Sequence, residues 1–392
     1  MQIVGLSWLV LMLTGSGVAL GSVLAFRFAP MLFGGLFAGM IVDRFNKRHI
    51  LYVTQTSFAL LALALSVLVY TDTIQIWMLF VFATVYGLVD VIDSPTRQTF
   101  VHEMVGRDNI RNAVALNSTE ANLARAVGPL IAGSLIATVG IAFCFAANAL
   151  SFCAVLFVIS RMRQGEFYHE ERQKPAGSVF EIISYVASVP LIRTVLLVMA
   201  AIGTLTYEFQ VSLPLLAQNT FSGTAADYAA LLSAMGAGSV AGGLFSASRH
   251  MISVREFVAA ALLFGISICA TALMPTLSLA IIGMIFVGFF SIHMTSLGNS
   301  MIQLETQPHF RGRVMSLWTT AIFGSTLIGA PIIGLIGEYG NARWALAVGG
   351  ITAIVAGGYA ALSMLKKESS RTVGAEVEIA RDVQETTETI KL

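Results

Sequence analysis

The residues of this chain that could do chemistry are few, and most of them interrupt long apolar runs. Arg27 and Arg125 are bases, and Glu120 and Glu208 acids, well inside such runs. An isolated charge in apolar surroundings is costly, so each calls for a partner or a wet cavity. Glu208, flanked by Tyr207 and Gln210, is the best candidate to carry a proton, because a carboxyl group taken out of water favours its neutral form. The competing reading makes it a residue close to water. His293 could change charge near neutral pH, or serve only as a structural side chain.

Two further acids close another apolar run, in Asp90-Val-Ile-Asp93-Ser-Pro95-Thr-Arg97. They share one helical face. Asp93 stands four residues before Arg97, an ion-pair spacing if the helix continues past Pro95. On that reading Asp90 is the cavity residue and Asp93 braces Arg97. Alternatively, an Asp-x-x-Asp pair could hold Mg²⁺ against a diphosphate, as in an intramembrane prenyltransferase. Metals bridging a diphosphate want several carboxylates, and no apolar run supplies a second acidic cluster. The sequence therefore calls for no metal and no cofactor.

Gly39-Met-Ile-Val-Asp43-Arg44-Phe-Asn46-Lys47-Arg48 ends an apolar run in one acid and three bases. It could be a basic loop that serves topology alone, with the acid as its local partner. It could also be a gate, in which Asp43 docks on the partly positive N-terminus of a neighbouring helix and lets go when the conformation changes. Asn46 occupies the tight turn, and asparagine is the next best residue after glycine for left-handed backbone. The most polar run, from Asn117 to Gly133, holds Glu120, Arg125, Gly128, Pro129 and Gly133. Gly-Pro in mid-helix removes a backbone donor and leaves a smooth, bendable surface for close helix contact. A plain hinge is the alternative.

The elements that position these residues follow from composition. With 392 residues, 56% hydrophobic and only 11% charged, and a mean hydropathy of +0.79, the chain is a polytopic membrane protein. Apolar windows fall near 17–42, 50–70, 74–96, 113–139, 141–160, 190–216, 226–247, 254–273, 276–301, 314–337 and 342–365. Met1 to Leu13 is apolar too, but as a helix it reaches only about 20 Å against a hydrocarbon core about 30 Å thick. It reads as the second half of a span, with a complete chain expected to start about 15–20 residues upstream. A signal peptide is the weaker alternative, since no base precedes the run and no small-residue cleavage site is clear.

Lys and Arg recur in every second connection: Arg44, Lys47 and Arg48; Arg97, Arg107 and Arg111; Arg161, Arg163, Arg172 and Lys174; Arg249 and Arg255; Arg311 and Arg313; Lys366, Lys367 and Arg371. Only Arg343 lies in the others, so the basic set faces the cytoplasm. The three cysteines, Cys144, Cys153 and Cys269, sit in apolar runs and read as buried small apolar residues rather than a disulfide framework. The expected organisation is an N-terminal bundle over 1–160, a cytoplasmic linker over 161–189 with an amphipathic piece from Val179 to Val186, a C-terminal bundle over 190–365 and a disordered cytoplasmic tail over 366–392. The halves echo each other. Gly34-Gly35-Leu36-Phe37 returns as Gly242-Gly243-Leu244-Phe245, and Leu116, Thr119, Gly128 and Gly133 return as Leu317, Thr320, Gly329 and Gly334. Duplication is the better reading of such paired matches.

Taken together, these motifs carry a family resemblance. Gly-x3-Asp-Arg-x2-Lys-Arg at Gly39 to Arg48 resembles the loop between helices 2 and 3 of the major facilitator superfamily, and Gly128-Pro129 with Gly133 resembles in part the helix-5 signature of drug/proton antiporters. Arg27-Phe-Ala-Pro30, Asp93-x-Pro95-x-Arg97-Gln98, Asn112 to Ser118, and Arg311-Gly312-Arg313-Val-Met-Ser316 look like the bacterial branch of transmembrane secretion effectors that includes enterobactin exporters and macrolide efflux pumps. The resemblance implies an all-α fold of two six-helix bundles with pseudo-two-fold symmetry, the first helix truncated. It implies no enzyme but a proton-coupled exporter of a small amphipathic compound, working by alternating access as a monomer in the bacterial plasma membrane, with its C-terminus in the cytoplasm. Its expected partners are a small-molecule substrate, protons and the lipid bilayer, and no nucleic acid. In that family the acid corresponding to Asp43 meets helix 11, which here starts near Arg313. The arginine that many proton-coupled members carry within helix 4 is missing, which leaves Asp90 or Glu208 to carry protons. A non-transporting membrane scaffold or sensor is the alternative from another class.

Overall fold

The computed structural model describes residues 1–162, 179–249, 253–307 and 309–365; the tail expected over 366–392 and most of the linker lie outside them. Among the described residues the structure is helical, with no strand. The helices are α1 (Gln2–Thr14), α2 (Gly17–Arg44), α3 (Lys47–Tyr70), α4 (Ile76–Thr138), α5 (Ile141–Arg161), α6 (Val179–Ser188), α7 (Pro190–Leu205), α8 (Phe209–Leu215), α9 (Ala225–Ala247), α10 (Val254–Leu273), α11 (Leu277–Glu305), α12 (Arg311–Thr319), α13 (Thr326–Tyr339) and α14 (Ala342–Ala360). A bilayer admits this architecture because each helix satisfies its own backbone groups. Nine stretches are long and apolar enough to span a membrane, and three shorter apolar helices, Gln2–Thr14, Gly17–Leu32 and Leu123–Thr138, join them. These are two six-helix bundles.

Local structure departs from the sequence reading in three places. α4 is one helix of 63 residues, where a polar connection was expected between spans near 74–96 and 113–139. Residues 97–112 contain no proline and a single glycine, so nothing in that stretch forbids helix. Asn46 is not left-handed: it has φ −66° and ψ 119° and caps α3, its Oδ1 accepting from the Arg48 amide. Asparagine serves that role as well as it serves a tight turn. Cys153 is exposed, whereas Cys144 is buried, and all three thiols are free.

One end of the molecule carries Arg44, Lys47, Arg48, Arg161, Arg249 and Arg311 and is called the basic end. At the opposite end Arg343 is fully engaged, its Nη1 donating to the carbonyls of Ala272 (2.6 Å) and Met274 (2.7 Å), which ties α14 to the end of α10. The halves meet along α2 against α13 and α4 against α9. Small residues make this seam close: a Cβ on Gly334 would strike the Gly17 carbonyl, and one on Gly133 would lie 3.2 Å from the Ala226 Cα. Toward the end opposite the bases one buried cluster draws on both halves, with Leu9, Val10 and Leu20 against Val211, Leu215 and Ile333, and Trp8 stacks on Tyr228 at 6.5 Å. At the basic end the cluster of Leu51, Phe100 and Ile159 holds no residue of the second half.

Candidate functional site

Mid-depth in the bundles, polar side chains gather where apolar ones would be expected. In the first half α2 carries Arg27, which is 7% exposed. Its guanidinium lies 4.5 Å from the centre of the Tyr86 ring on α4 and 5.7 Å from that of Phe28. Two of its nitrogens, Nε and Nη1, are buried without a hydrogen-bond partner among the described residues. The backbones of α2 and α4 touch here, since a Cβ on Gly87 would run into the Arg27 carbonyl. Arg27 borders a crevice with Gln2, Leu6, Leu61, Leu65, Phe82 and Tyr86. Gln2 is itself held, its Oε1 accepting from Asn148 Nδ2 at 2.8 Å. Asp90, one turn beyond Tyr86, is half-buried and feels the Arg27 charge, although no ion pair joins them among the described residues.

The second half places Glu208 where a spanning helix breaks. α7 ends at Leu205 and α8 starts at Phe209, so Thr206, Tyr207 and Glu208 form the interruption within the stretch Pro190–Thr220. Side chains at the break anchor it to other helices. Thr206 Oγ1 donates to the Gly349 carbonyl (2.7 Å), and the Tyr207 hydroxyl bonds Thr295 Oγ1 (2.8 Å) and Ser291 Oγ (3.2 Å) on α11. Glu208 is 3% exposed and faces α13, where Thr326 lies within hydrogen-bond reach. Gly329 is where α13 meets α7: a Cβ there would run into the Thr204 carbonyl, and it would stand 3.1 Å from Glu208 Oε1. That oxygen has no hydrogen-bond partner among the described residues. Just upstream, Thr320–Gly324 forms a π turn between α12 and α13, a feature that recurs at functional sites. A buried, incompletely satisfied carboxyl at a broken helix can exchange a proton or a hydrogen-bonded ligand.

Asp93 is the contrasting acid. It is 1% exposed and accepts from Thr54 Oγ1 (2.6 Å) and Gln55 Nε2 (2.8 Å) while pairing with Arg97 Nε at 2.8 Å. α4 does continue past Pro95, and the pair forms at the spacing read from the sequence.

The whole chain can now be set beside known proteins. Residues 1–386 match the model of the transmembrane secretion effectors. The chain belongs to this family of major facilitator transporters. The staphyloferrin A transporter of Staphylococcus aureus is 25% identical over 80% of this chain and 80% of its own length. The multidrug efflux pump Tap of Mycolicibacterium fortuitum is 27% identical over 85% of this chain and 83% of its own, and the enterobactin exporter EntS of Escherichia coli 22% over 83% and 78%. Two solved structures share the fold. They are a D-xylose–proton symporter (TM-score 0.72, 11% identity, 91% and 93% of the two chains) and an inward-facing bacterial homologue of the human lysosomal transporter Spinster (TM-score 0.69, 13% identity, 92% and 93%). Family and fold are those of transporters, not enzymes, which sets the prenyltransferase aside.

Within this secretion effector, the other residues singled out from the sequence scatter. Glu120 is exposed and precedes the apolar stretch Leu123–Thr138, so it is not well inside a span. Arg125 is exposed as well, and its charge reaches Tyr207 across the seam. Of the helix-5 glycines, Gly133 makes the close contact with α9, while around Gly128 nothing lies within 4 Å of where a Cβ would stand. Pro129 leaves α4 unbroken. His293, 4% exposed, is not alone: its Nε2 lies 3.4 Å from Glu256 Oε1, which also meets Arg249 Nε at 3.5 Å, and its ring packs edge-on to Phe245. In the motif from Gly39 to Arg48, a gate or a topology marker on the sequence reading, Gly39 and Asp43 lie outside the described residues apart from their place in α2. Arg44 is exposed, Lys47 pairs with Glu103 at 2.5 Å, and Arg48 donates to the Ile159 carbonyl at 2.8 Å. The aromatic partner Tyr86 and the Tyr207–Ser291–Thr295 network escaped the sequence reading, because a tyrosine among apolar residues gives no signal of which helix it faces.

Proposed function

We propose that this protein exports a small amphipathic compound from the bacterial cytoplasm in exchange for protons, by alternating access to a site between its halves. Two of its relatives are siderophore transporters and one is a multidrug pump, which supports siderophores, antibiotics and related metabolites as the substrate class. The observation that carries proton coupling is Glu208: a carboxyl buried at a helix break, with one oxygen unpartnered among the described residues, against a helix of the seam. A proton there removes a charge from apolar surroundings, and its loss restores the charge, so occupancy changes which packing of α13 is favoured. Arg27 and Asp90 on the facing half supply the polar wall for the compound, with Tyr86 and Phe28 for its apolar part.

The first half, 1–160, rocks against the second, 190–365. By the positive-inside rule the basic end and the C-terminus face the cytoplasm. The seam is then closed at the outer end, which makes the conformation described above inward-facing. The protein works as a monomer, each chain holding a complete site. Everted membrane vesicles supplied with a panel of dyes, antibiotics and siderophores test this reading. Uptake of at least one compound should collapse when an uncoupler is added. Uptake that survives the uncoupler overturns proton coupling, and no uptake of any compound favours the scaffold or sensor.

A further inference from the structure

Glu338, near the end of α13, reaches the N-terminus of α2 in the other half of the chain. Its Oε2 accepts from Ser16 Oγ at 2.5 Å and from the Val18 amide at 2.8 Å. Ser16 is also a helix cap, its Oγ accepting from the Ala19 amide at 3.1 Å. A capping box normally draws its acid from the third residue of the same helix. In α2 that residue is Ala19, and the acid comes from 322 residues away.

The repeat provides the control. The offset of 208 that carries Gly34 onto Gly242 carries Ser16 onto Thr224 and Ala19 onto Asp227. In α9, Thr224 and Asp227 form a complete local box, with the Asp227 carboxylate 2.7 Å from the Thr224 amide and 2.9 Å from its hydroxyl. The offset of 201 that carries Gly133 onto Gly334 carries Ala137 onto Glu338. One repeat therefore completes its box within its own helix, while in the other Ser16 caps α2 locally and the acid arrives only when α13 lies against α2. That contact sits at the end where Gly17 and Gly334 touch and the halves share a buried cluster.

We infer that Glu338 is a gating residue, whose carboxylate latches the two halves together at the end opposite the bases by completing the cap of α2. A latch shifts an equilibrium only by interactions present in one state and absent from the other. Here the anion–helix contact and its two hydrogen bonds exist only while the seam is closed at that end. This rests on alternating access as proposed above, and it adds the group that sets the balance.

The test uses the full chain in lipid nanodiscs, with Cys144, Cys153 and Cys269 replaced by alanine and spin labels on cysteines introduced at exposed sites. Thr73→Cys with Pro275→Cys reports the latch end, and Ser160→Cys with Glu305→Cys reports the basic end. Double electron–electron resonance should show two distance populations in the parent. Glu338→Ala should lower the closed-to-open ratio at the latch end about five- to tenfold, with the opposite change at the basic end. Ala19→Asp combined with Glu338→Ala gives α2 a local box like that of α9 and should leave the shift in place. Unchanged populations in Glu338→Ala, or their full restoration by Ala19→Asp, would mean that the acid only caps a helix and would overturn the latch. A single population in the parent under every condition would instead overturn alternating access.

Discussion

Asp93 and Glu208 are the two buried acids among the described residues, 1% and 3% exposed, yet their surroundings differ in how far they satisfy the carboxyl group. Asp93 is met by a hydroxyl, an amide and a guanidinium. Among the described residues Glu208 pairs with no base, and one of its oxygens goes unpartnered. Burial alone therefore does not mark a functional carboxyl; what matters is whether the fold has already satisfied it. A satisfied acid is a brace, whose replacement costs stability. An unsatisfied one is a cost that the fold keeps, and transport gives a reason to keep it.

The largest expected effect follows from the brace. Asp93→Ala orphans Thr54 and Gln55 and strands Arg97. Breaking a buried pair costs about 3–5 kcal/mol, reduced here because Arg97 is 61% exposed and can be solvated. A loss of about 2–3 kcal/mol is expected, read as a lower melting temperature of the purified protein; an unshifted melting curve would break the comparison from this side. Glu208→Gln should do the reverse, leaving the melting temperature unchanged or raised while cutting uncoupler-sensitive transport at least about tenfold, because a neutral amide cannot release a proton. Transport that stays proton-driven in that variant would remove Glu208 from the mechanism. Arg27→Gln sharpens the comparison on the other half. Its unpartnered nitrogens group Arg27 with Glu208, so transport should fall about three- to tenfold with little change in melting. A loss of stability as large as that of Asp93→Ala would instead class it with the braces.

The sequence reading reached these two acids unequally. The Asp93–Arg97 pair was legible because its partners are four residues apart on one helix, where spacing alone fixes geometry. Thr54 and Gln55 were not, since they come from α3 and nothing in either segment records which helix faces them. The apolar spans, the doubled architecture and the basic end were legible because a bilayer imposes length, hydropathy and charge bias directly on sequence. The break at Thr206–Glu208 was not: no proline or glycine occupies it, and it persists through hydrogen bonds to Gly349, Ser291 and Thr295 on distant helices. For the same reason the Thr224–Asp227 box is a local signature, whereas the contact of Ser16 with Glu338 is visible only after folding.

The smallest effect belongs to the motif from Gly39 to Arg48, and it bears on how the two ends of the seam differ. The sequence offers Asp43 at the basic end of α2 as an acid for the start of α12. In the conformation seen here the halves share their buried cluster at the other end. An acid that engages only when the basic end closes contributes to one state alone, and an exposed helix-terminal charge is worth about 0.3–1 kcal/mol. Asp43→Asn should therefore leave insertion and melting temperature intact and lower export in everted vesicles about two- to fivefold. The sign of its effect on conformation should oppose that of Glu338→Ala, raising the population open at the basic end where Glu338→Ala lowers it. If both variants shift the populations in the same direction, the two acids do not latch opposite ends of one seam. Undiminished export from Asp43→Asn would reduce the basic motif to a marker of topology.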